Sequence, residues 1–588
     1  MEIMCSTNAY YDSSDTMMSF VRSPWTWLFF EVVILLAIVA GILPHSAVYI
    51  FAGSIAFLLF FLPLEQALVL FLASAPIAPA LPLLGFESFA AWRIWILTLF
   101  IAWFIKDRPK VLVLPKLTSF EWIAISLGIP VVLSLLVAED PTAGLRKLLF
   151  IVNILLLYPV IRSLAQRSAA YVKAILRGLF GAVIIVFGVA LIQYIIVQFA
   201  SLFEFWHGWS GGFIPLFYGE KLGRVLSESN TWFSYYPDAP PTLRLFSIFP
   251  DSHSFALFSI FILVGVWWIG FQQRISRLLA FLLAIVSSLG IFLSGSRGTW
   301  IAALVPFTIV TFLGVVDLRN RFPLKKYPPI SIILGMIVFF SFLLFISPVG
   351  FLLFLSLPEH FFIWVGILFL FLCAGFLFFQ ILTHHKITSL IQKAVHIPPR
   401  AEAVFITAAS LWLLFFLMFP LASFLISNTR GAGVLTQDEA VAFERARTIF
   451  DISEVSNRSR IQIWLASLES IKQNPLLGVG FGNYGVVLNQ PVDASRRGAS
   501  AHNLYLDIAT EAGFFAGLLA LAFFLDLFVY ALQKGLFLPA FLVAWVAIYN
   551  LVDVVLLNDR VFIVFIVFVA ILATYRFPTH GYQAPRIS

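Results

Sequence analysis

The chain reads as an all-α, polytopic integral membrane protein, and three observations carry that reading. Hydrophobic residues make up 61% of the 588 and charged residues only 11%, with a mean hydropathy of +0.98. No water-soluble domain hides so much apolar surface. Apolar runs of roughly 17–25 residues, the length a bilayer crossing needs, recur about 14–16 times. Short connections rich in Lys and Arg alternate with connections that lack them, the pattern that sets orientation in a membrane.

In chain order, residues 1–25 form a polar tail whose Asp12 and Asp15 are unlike the basic start of a cleaved signal peptide. Spans at 26–43, 46–62, 66–84, 89–105, 119–138, 142–161 and 178–199 fill the stretch 26–199. Pro63 and further prolines interrupt the pair at 46–84, so either member fits a re-entrant segment, which sets the lower count. Residues 200–250 include "FEFWHGWSGGFIPLFYGE" and read as an irregular, aromatic surface loop at the membrane interface. The central block 251–427 holds spans at 251–270, 278–293, 298–316, 330–346, 360–382 and 402–426. A second long polar segment, 428–504, contains two helical patterns, at 436–450 and 458–472. The latter repeats apolar residues at Ile461, Trp464, Leu465, Leu468 and Ile471, and Asn474-Pro475 stops it. Spans at 508–531, 536–556 and 561–575 complete the block 505–588, which ends in a short tail.

Charge assigns the sides. The basic connections 106–116, 162–177, 272–277, 317–326 and 384–400 all fall on one face, which is expected to be cytoplasmic. Both termini share that face. The acidic connection 139–141, Arg297 and the long segments 200–250 and 428–504 fall on the opposite, extracytoplasmic face.

Several function classes recede on the same grounds. The +7 net charge reports orientation in a membrane protein, not affinity for nucleic acid. Cys5 lies in a polar tail and Cys373 in an apolar run, a poor pair for a disulfide or a metal. His384 and His385 are adjacent in a basic connection without a convergent Cys or carboxylate cluster, so they read as solvated loop residues. The glycines of "GVGFGNYG" (478–485) follow a helix and Asn-Pro, not the strand a nucleotide loop requires. A transporter or flippase stays open as an alternative, but it needs polar residues along a pathway. The spans offer few: Gln193, Asp526 and Asp553.

The extracytoplasmic face carries the candidate chemistry: Arg244, Arg297, Arg460 and His502. A guanidinium keeps its charge at any relevant pH, and its planar fork matches phosphate oxygens. Several of them at the membrane boundary suit a lipid diphosphate whose tail lies in the bilayer. A neutral imidazole accepts a proton from a hydroxyl near neutrality. Plainer roles exist for each. Arg297 fits an interfacial anchor, Arg460 the solvated face of an amphipathic helix, and His502 a local cap. Asp507 and Glu511, one helical turn apart, fit an ordinary solvent-facing pair.

The combination is more specific than its parts. "SGSRGTW" (294–300), then "RIQIWLASLESIKQNPLLGVGFGNYG" (460–485), then "AHNLYLDIATEAGFFAG" (501–517) resembles the bacterial O-antigen ligase and polymerase family in order and spacing. "LRLFSIFPDSHSFALF" looks like a looser upstream element, although relatives often have Asn-Pro where this chain has Pro250-Asp251-Ser252-His253. The resemblance implies a metal-independent, inverting glycosyltransferase that needs no cofactor. Its donor would be an oligosaccharide or polysaccharide on undecaprenyl diphosphate, within a multi-pass protein of the bacterial inner membrane. The acceptor hydroxyl would belong to lipid A core, to another glycan or, in the protein O-oligosaccharyltransferases of the same family, to a protein side chain. By the same resemblance His502 is the catalytic residue, and Arg297 and Arg460 bind the diphosphate with Arg244 as a third. Asn503 and Glu511 are supporting residues.

Overall fold

The computed structural model describes residues 23–83, 86–107, 116–228, 232–236, 239–272, 276–300, 302–303, 306, 455–488 and 500–574. Several expected features lie outside the described residues. They are the spans at 330–346, 360–382 and 402–426, most of 298–316, the helical pattern at 436–450, the connections 317–326 and 384–400 with His384 and His385, and both cysteines.

What is described is helical apart from two short hairpins. Helices α1 (Pro24–Val39), α2 (Ala47–Phe61) and α3 (Leu64–Ser74) lead into the hairpin of β1 (Ala80–Leu83) and β2 (Phe86–Ala90). The expected span at 66–84 is therefore corrected. Its helical part ends by Ile77, because Pro76, Pro79 and Pro82 supply no backbone N–H to continue it. Then come α4 (Trp92–Lys106), α5 (Ser119–Ser134), α6 (Pro141–Leu155), α7 (Leu157–Arg167) and the long α8 (Ala169–Phe199). Residues 162–177, expected as a connection, are mostly helical. Arg162 is buried and paired with Glu121, whose other partners are the Tyr158 hydroxyl and the Thr118 N–H and hydroxyl that start α5.

Residues 200–250 are not the irregular loop that their turn-rich composition suggests. Ser201 and Glu204 form a capping box that starts α9 (Leu202–Gly208). A π-helical turn (209–213), α10 (Ile214–Tyr218), α11 (Glu220–Ser227) and a second hairpin, β3 (Phe233–Tyr236) with β4 (Ala239–Leu243), follow. The aromatics there pack on one another: Trp232 is fully buried, stacks on Phe246 at 4.0 Å and meets Trp206 edge-on at 4.1 Å.

Next come α12 (Ser252–Ile260), α13 (Trp267–Gln272) and α14 (Arg277–Leu293), and then α15 (Val455–Gln473). The run expected as one span from 508 divides into α16 (Leu504–Ala512) and α17 (Phe514–Gln533). Gly513 between them sits at φ 93°, and a Cβ there would lie 2.1 Å from the Leu476 carbonyl oxygen, so only glycine lets the chain turn at that point. Helix α18 (Phe537–Tyr549) stops seven residues short of the expected 556, and residues 550–558 make a turn before α19 (Asp559–Ala573).

Among the described residues five helices are long and apolar enough to cross a membrane, over Ser119–Val137, Pro141–Arg167, Ala169–Phe199, Ser252–Gly270 and Phe514–Gln533. Together with the shorter apolar helices they make this a multi-pass membrane protein. Trp122, Ile125, Ile129 and Leu136 of the first, and Phe515, Leu518, Leu521 and Leu525 of the last, stay exposed and form a lipid-facing side. The interior is apolar and continuous, and α19 is buried from Arg560 to Ala573.

Gln193 and Asp526, polar residues inside the expected spans, bond to other parts of the chain. Gln193 is buried, donates to the Ser247 carbonyl at 2.9 Å and accepts the Ser247 N–H at 2.8 Å. That clamp holds Ser247 in left-handed geometry (φ 54°) and fixes the segment between Arg244 and His253. Asp526 accepts the Ser119 hydroxyl.

Candidate functional site

The site assembles around the turn after α14. Gly295 takes φ 61°, and the chain becomes helical again at Arg297. This helical start runs close to the turn after α18: a Cβ on Gly298 would meet Val552 at 2.8 Å and the Tyr549 ring at 3.1 Å. The close approach lets the Ser296 hydroxyl meet the Tyr549 hydroxyl at 3.1 Å, and the Trp545 indole donates to the Thr299 carbonyl.

Arg244 approaches the same turn from β4. Its Nε donates to the Ser294 carbonyl at 3.1 Å, and Leu245 N–H bonds the Leu293 carbonyl. Trp232 braces this segment from behind, since its carbonyl accepts Arg244 N–H and its indole donates to the Pro250 carbonyl.

Asp251 caps α12 by accepting Ser254 N–H at 2.7 Å, which sets His253 in the first turn. Arg244 Nη2 stands 3.2 Å from His253 Nε2. Arginine only donates, so Nε2 accepts and carries no proton. The proton of the neutral ring then sits on Nδ1, which lies 3.0 Å from the Ser296 hydroxyl and 3.4 Å from Asp553 Oδ2.

His502 reaches the other oxygen of Asp553 from the far side, with Nδ1 at 3.9 Å from Oδ1. That separation is too long for a hydrogen bond. His502 is one of two non-glycine residues at positive φ among those described (47°). Its neighbours hold it there. Asn503 caps α16 by accepting the N–H groups of Tyr505 and Leu506, and Leu504 N–H bonds the Asn550 carbonyl. Ala501 is gripped on both sides, its N–H by Asp507 at 3.0 Å and its carbonyl by the Trp464 indole at 2.9 Å. Trp464 lies one helical turn beyond Arg460, and this contact brings α15 alongside the His502 turn.

Asp553 lies in the turn at 550–558, outside the spans. Burial opposes its ionisation, but His253, His502 and Arg460 together hold its carboxyl well below the usual carboxylate range. Asp553 is thus an anion set among cations and imidazoles.

Arg244, Arg460, His502 and Asn503 therefore converge on one locus, and Arg297 enters it as the residue after Ser296. Glu511 sits in the layer behind. The reading of Asp507 and Glu511 as a solvent-facing pair is corrected: they are 3% and 1% exposed, and Lys147 lies against both. Their spacing along the helix places them on one face but does not say what covers it. "GVGFGNYG" supplies that cover, with the N–H groups of Val479 and Gly480 bonding the carbonyls of Thr510 and Glu511.

Asp553, His253 and Lys147 have no role assigned from the sequence. Polar residues at the end of an apparent span (Asn550, Asp553) and in the connection after it (Asn558, Asp559) were the available signal for Asp553, and a basic pair, Arg146-Lys147, for Lys147.

Residues 280–521 match the protein family described as O-antigen ligase. That stretch, about two fifths of the chain, is similar to the family. Arg297, Arg460 and His502 lie within it, whereas Arg244, His253 and Asp553 lie outside and are brought to it by the fold. The family supports a glycan-transferring membrane enzyme of the O-antigen ligase type. No curated protein and no solved structure matches the chain.

Proposed function

We propose that this protein transfers a glycan from undecaprenyl diphosphate to an acceptor hydroxyl, with inversion, at the extracytoplasmic face of the bacterial inner membrane. The observation that carries the reading is the convergence of three motif residues of the matched stretch, Arg297, Arg460 and His502, with Arg244 and Asp553 at one locus. His502 takes the proton of the acceptor hydroxyl while that oxygen bonds to the anomeric carbon. The bond from that carbon to the diphosphate oxygen breaks, and the lipid diphosphate leaves. Arg297, Arg460 and Arg244 stabilise the charge that grows on it, help that can dominate such a barrier. Asp553 faces Nδ1 of His502, which favours the tautomer with its free nitrogen, Nε2, available as the base. Gln193 and Asp526, both in spanning helices, are spent on internal bonds, which disfavours a transport pathway through them.

The test uses purified full-length protein and a defined undecaprenyl-diphosphate oligosaccharide. Release of the lipid diphosphate on glycan transfer is expected from the wild type and lost in His502→Ala and Arg297→Ala. Wild-type rates in both variants would falsify the mechanism.

A further inference from the structure

Lys147 belongs to α6, far in sequence from the matched stretch, yet its ammonium stands 2.5 Å from Glu511 Oε2 and 3.7 Å from Asp507 Oδ2. It also lies over the Phe481 ring, 4.7 Å from its centroid. Each carboxylate uses its second oxygen on a backbone amide. Asp507 Oδ1 accepts Ala501 N–H at 3.0 Å, and Glu511 Oε1 accepts Tyr484 N–H at 3.3 Å. The first of these amides directly precedes His502, whose left-handed backbone costs about 1 kcal/mol or more and persists only where the surroundings over-determine it.

We propose that Lys147 is a positioning residue for glycan transfer: it orients Asp507, which fixes the Ala501 peptide and through it the His502 ring. The proposal rests on His502 being the base of the reaction. It also gives the N-terminal helices, which the family match does not reach, a part in the chemistry.

Charge makes the idea testable. The groups that face one another are Lys147, Asp507 and Glu511, with His502 acting on Asp507 and Tyr484 beside both carboxylates. Lysine with two carboxylates leaves one net negative charge. Removing the lysine leaves two carboxylates in mutual repulsion, relieved only when one takes a proton. Burial already pushes Asp507 up to about 6.

In full-length protein supplied with the undecaprenyl-diphosphate oligosaccharide, Lys147→Met is expected to lower kcat about ten- to a hundredfold, the cost of a misplaced catalytic group. Donor KM should stay within about threefold, because the diphosphate arginines are untouched. The deficit relative to wild type should widen as pH rises above about 6, where Asp507, raised by burial, loses its proton with no lysine to balance it. Lys147→Arg and the charge-balanced Lys147→Met/Glu511→Gln should each recover most of the loss. A deficit that is flat with pH and unrelieved in the double variant overturns the proposal, as does wild-type kcat in Lys147→Met. Hydrogen exchange read without substrate separates this idea from the transfer reaction. Amides at 501–503 should exchange about tenfold faster in Lys147→Met, and unchanged exchange there overturns the positioning role even if the wild type transfers no glycan.

Discussion

His502 and His253 flank the same carboxylate, and the protein holds them in opposite ways. The His253 side chain is 19% exposed and engaged at both nitrogens, by Arg244 on one side and by Ser296 and Asp553 on the other. The His502 side chain is 45% exposed, sits on a strained backbone, and its Nδ1 has no hydrogen-bond partner among the described residues. A histidine bonded at both nitrogens by protein groups can orient its neighbours but has no nitrogen left for a substrate. One that is half open and only loosely faced by its carboxylate keeps a nitrogen for an acceptor. Rigidity is concentrated in the parts that carry His502, at Ala501, Asn503 and Trp464, while the ring itself stays available.

The largest expected effect tests that contrast directly. His502→Ala should cost about 10²–10⁴-fold in kcat, the range of a lost general base. His253→Asn should cost only about tenfold, because Arg244 keeps its bond to the Ser294 carbonyl. Equal losses in the two variants, measured as lipid-diphosphate release, would break the comparison.

Asp553→Asn comes next. It removes the charge that both imidazoles face, and an effect of about tenfold to a hundredfold on kcat is expected. The same variant sharpens the electrostatic side. Because the folded-state value of Asp553 lies below its unfolded one, its carboxylate contributes stability that is fully present above the ordinary carboxylate range and is lost progressively as pH falls below that range toward the folded value. The Tm deficit of Asp553→Asn against wild type should therefore be greatest near neutral pH and shrink on acidification to about pH 3. A deficit that grows with acid would show that Asp553 is not held as an anion.

The smallest expected effect belongs to Trp464→Phe, which keeps the ring and loses the bond to the Ala501 carbonyl. A stability loss of about 1 kcal/mol is expected. Turnover should fall only a few-fold, since Asp507 still holds the N–H of the same residue. A loss as deep as that of His502→Ala would mean that α15 contributes more than a brace.

Much of this was legible in the residues alone. Hydropathy is summed along the chain, so the all-α membrane class follows from composition and span length, and the expected spans at 119–138, 178–199 and 508–531 overlap the long apolar helices Ser119–Val137, Ala169–Phe199 and Phe514–Gln533. Arg297, Arg460 and His502 sit in motifs whose order is itself a linear property. Capping is local too, yet the cap before α16 is Asn503 and not His502, the residue that fitted that role in the sequence. The misreadings share one cause. Asp553 looked like a polar residue within a span, since hydropathy does not see that α18 ends at Tyr549. Residues 200–250 looked irregular because packing of Trp206, Trp232 and Phe246 on one another is not a local property.

What the sequence determined by itself is the kind of molecule and the approximate place of its long apolar helices, and it singled out the motif arginines and histidine, because each depends on residues near one another in the chain. Only the tertiary structure decided that Asp553, His253 and Arg244 join them, and that Lys147 stands behind Asp507. Those contacts span between about 50 and about 360 residues of sequence. The energy of a buried charge is set by what lies within a few ångströms of it in space, and linear spacing does not encode that.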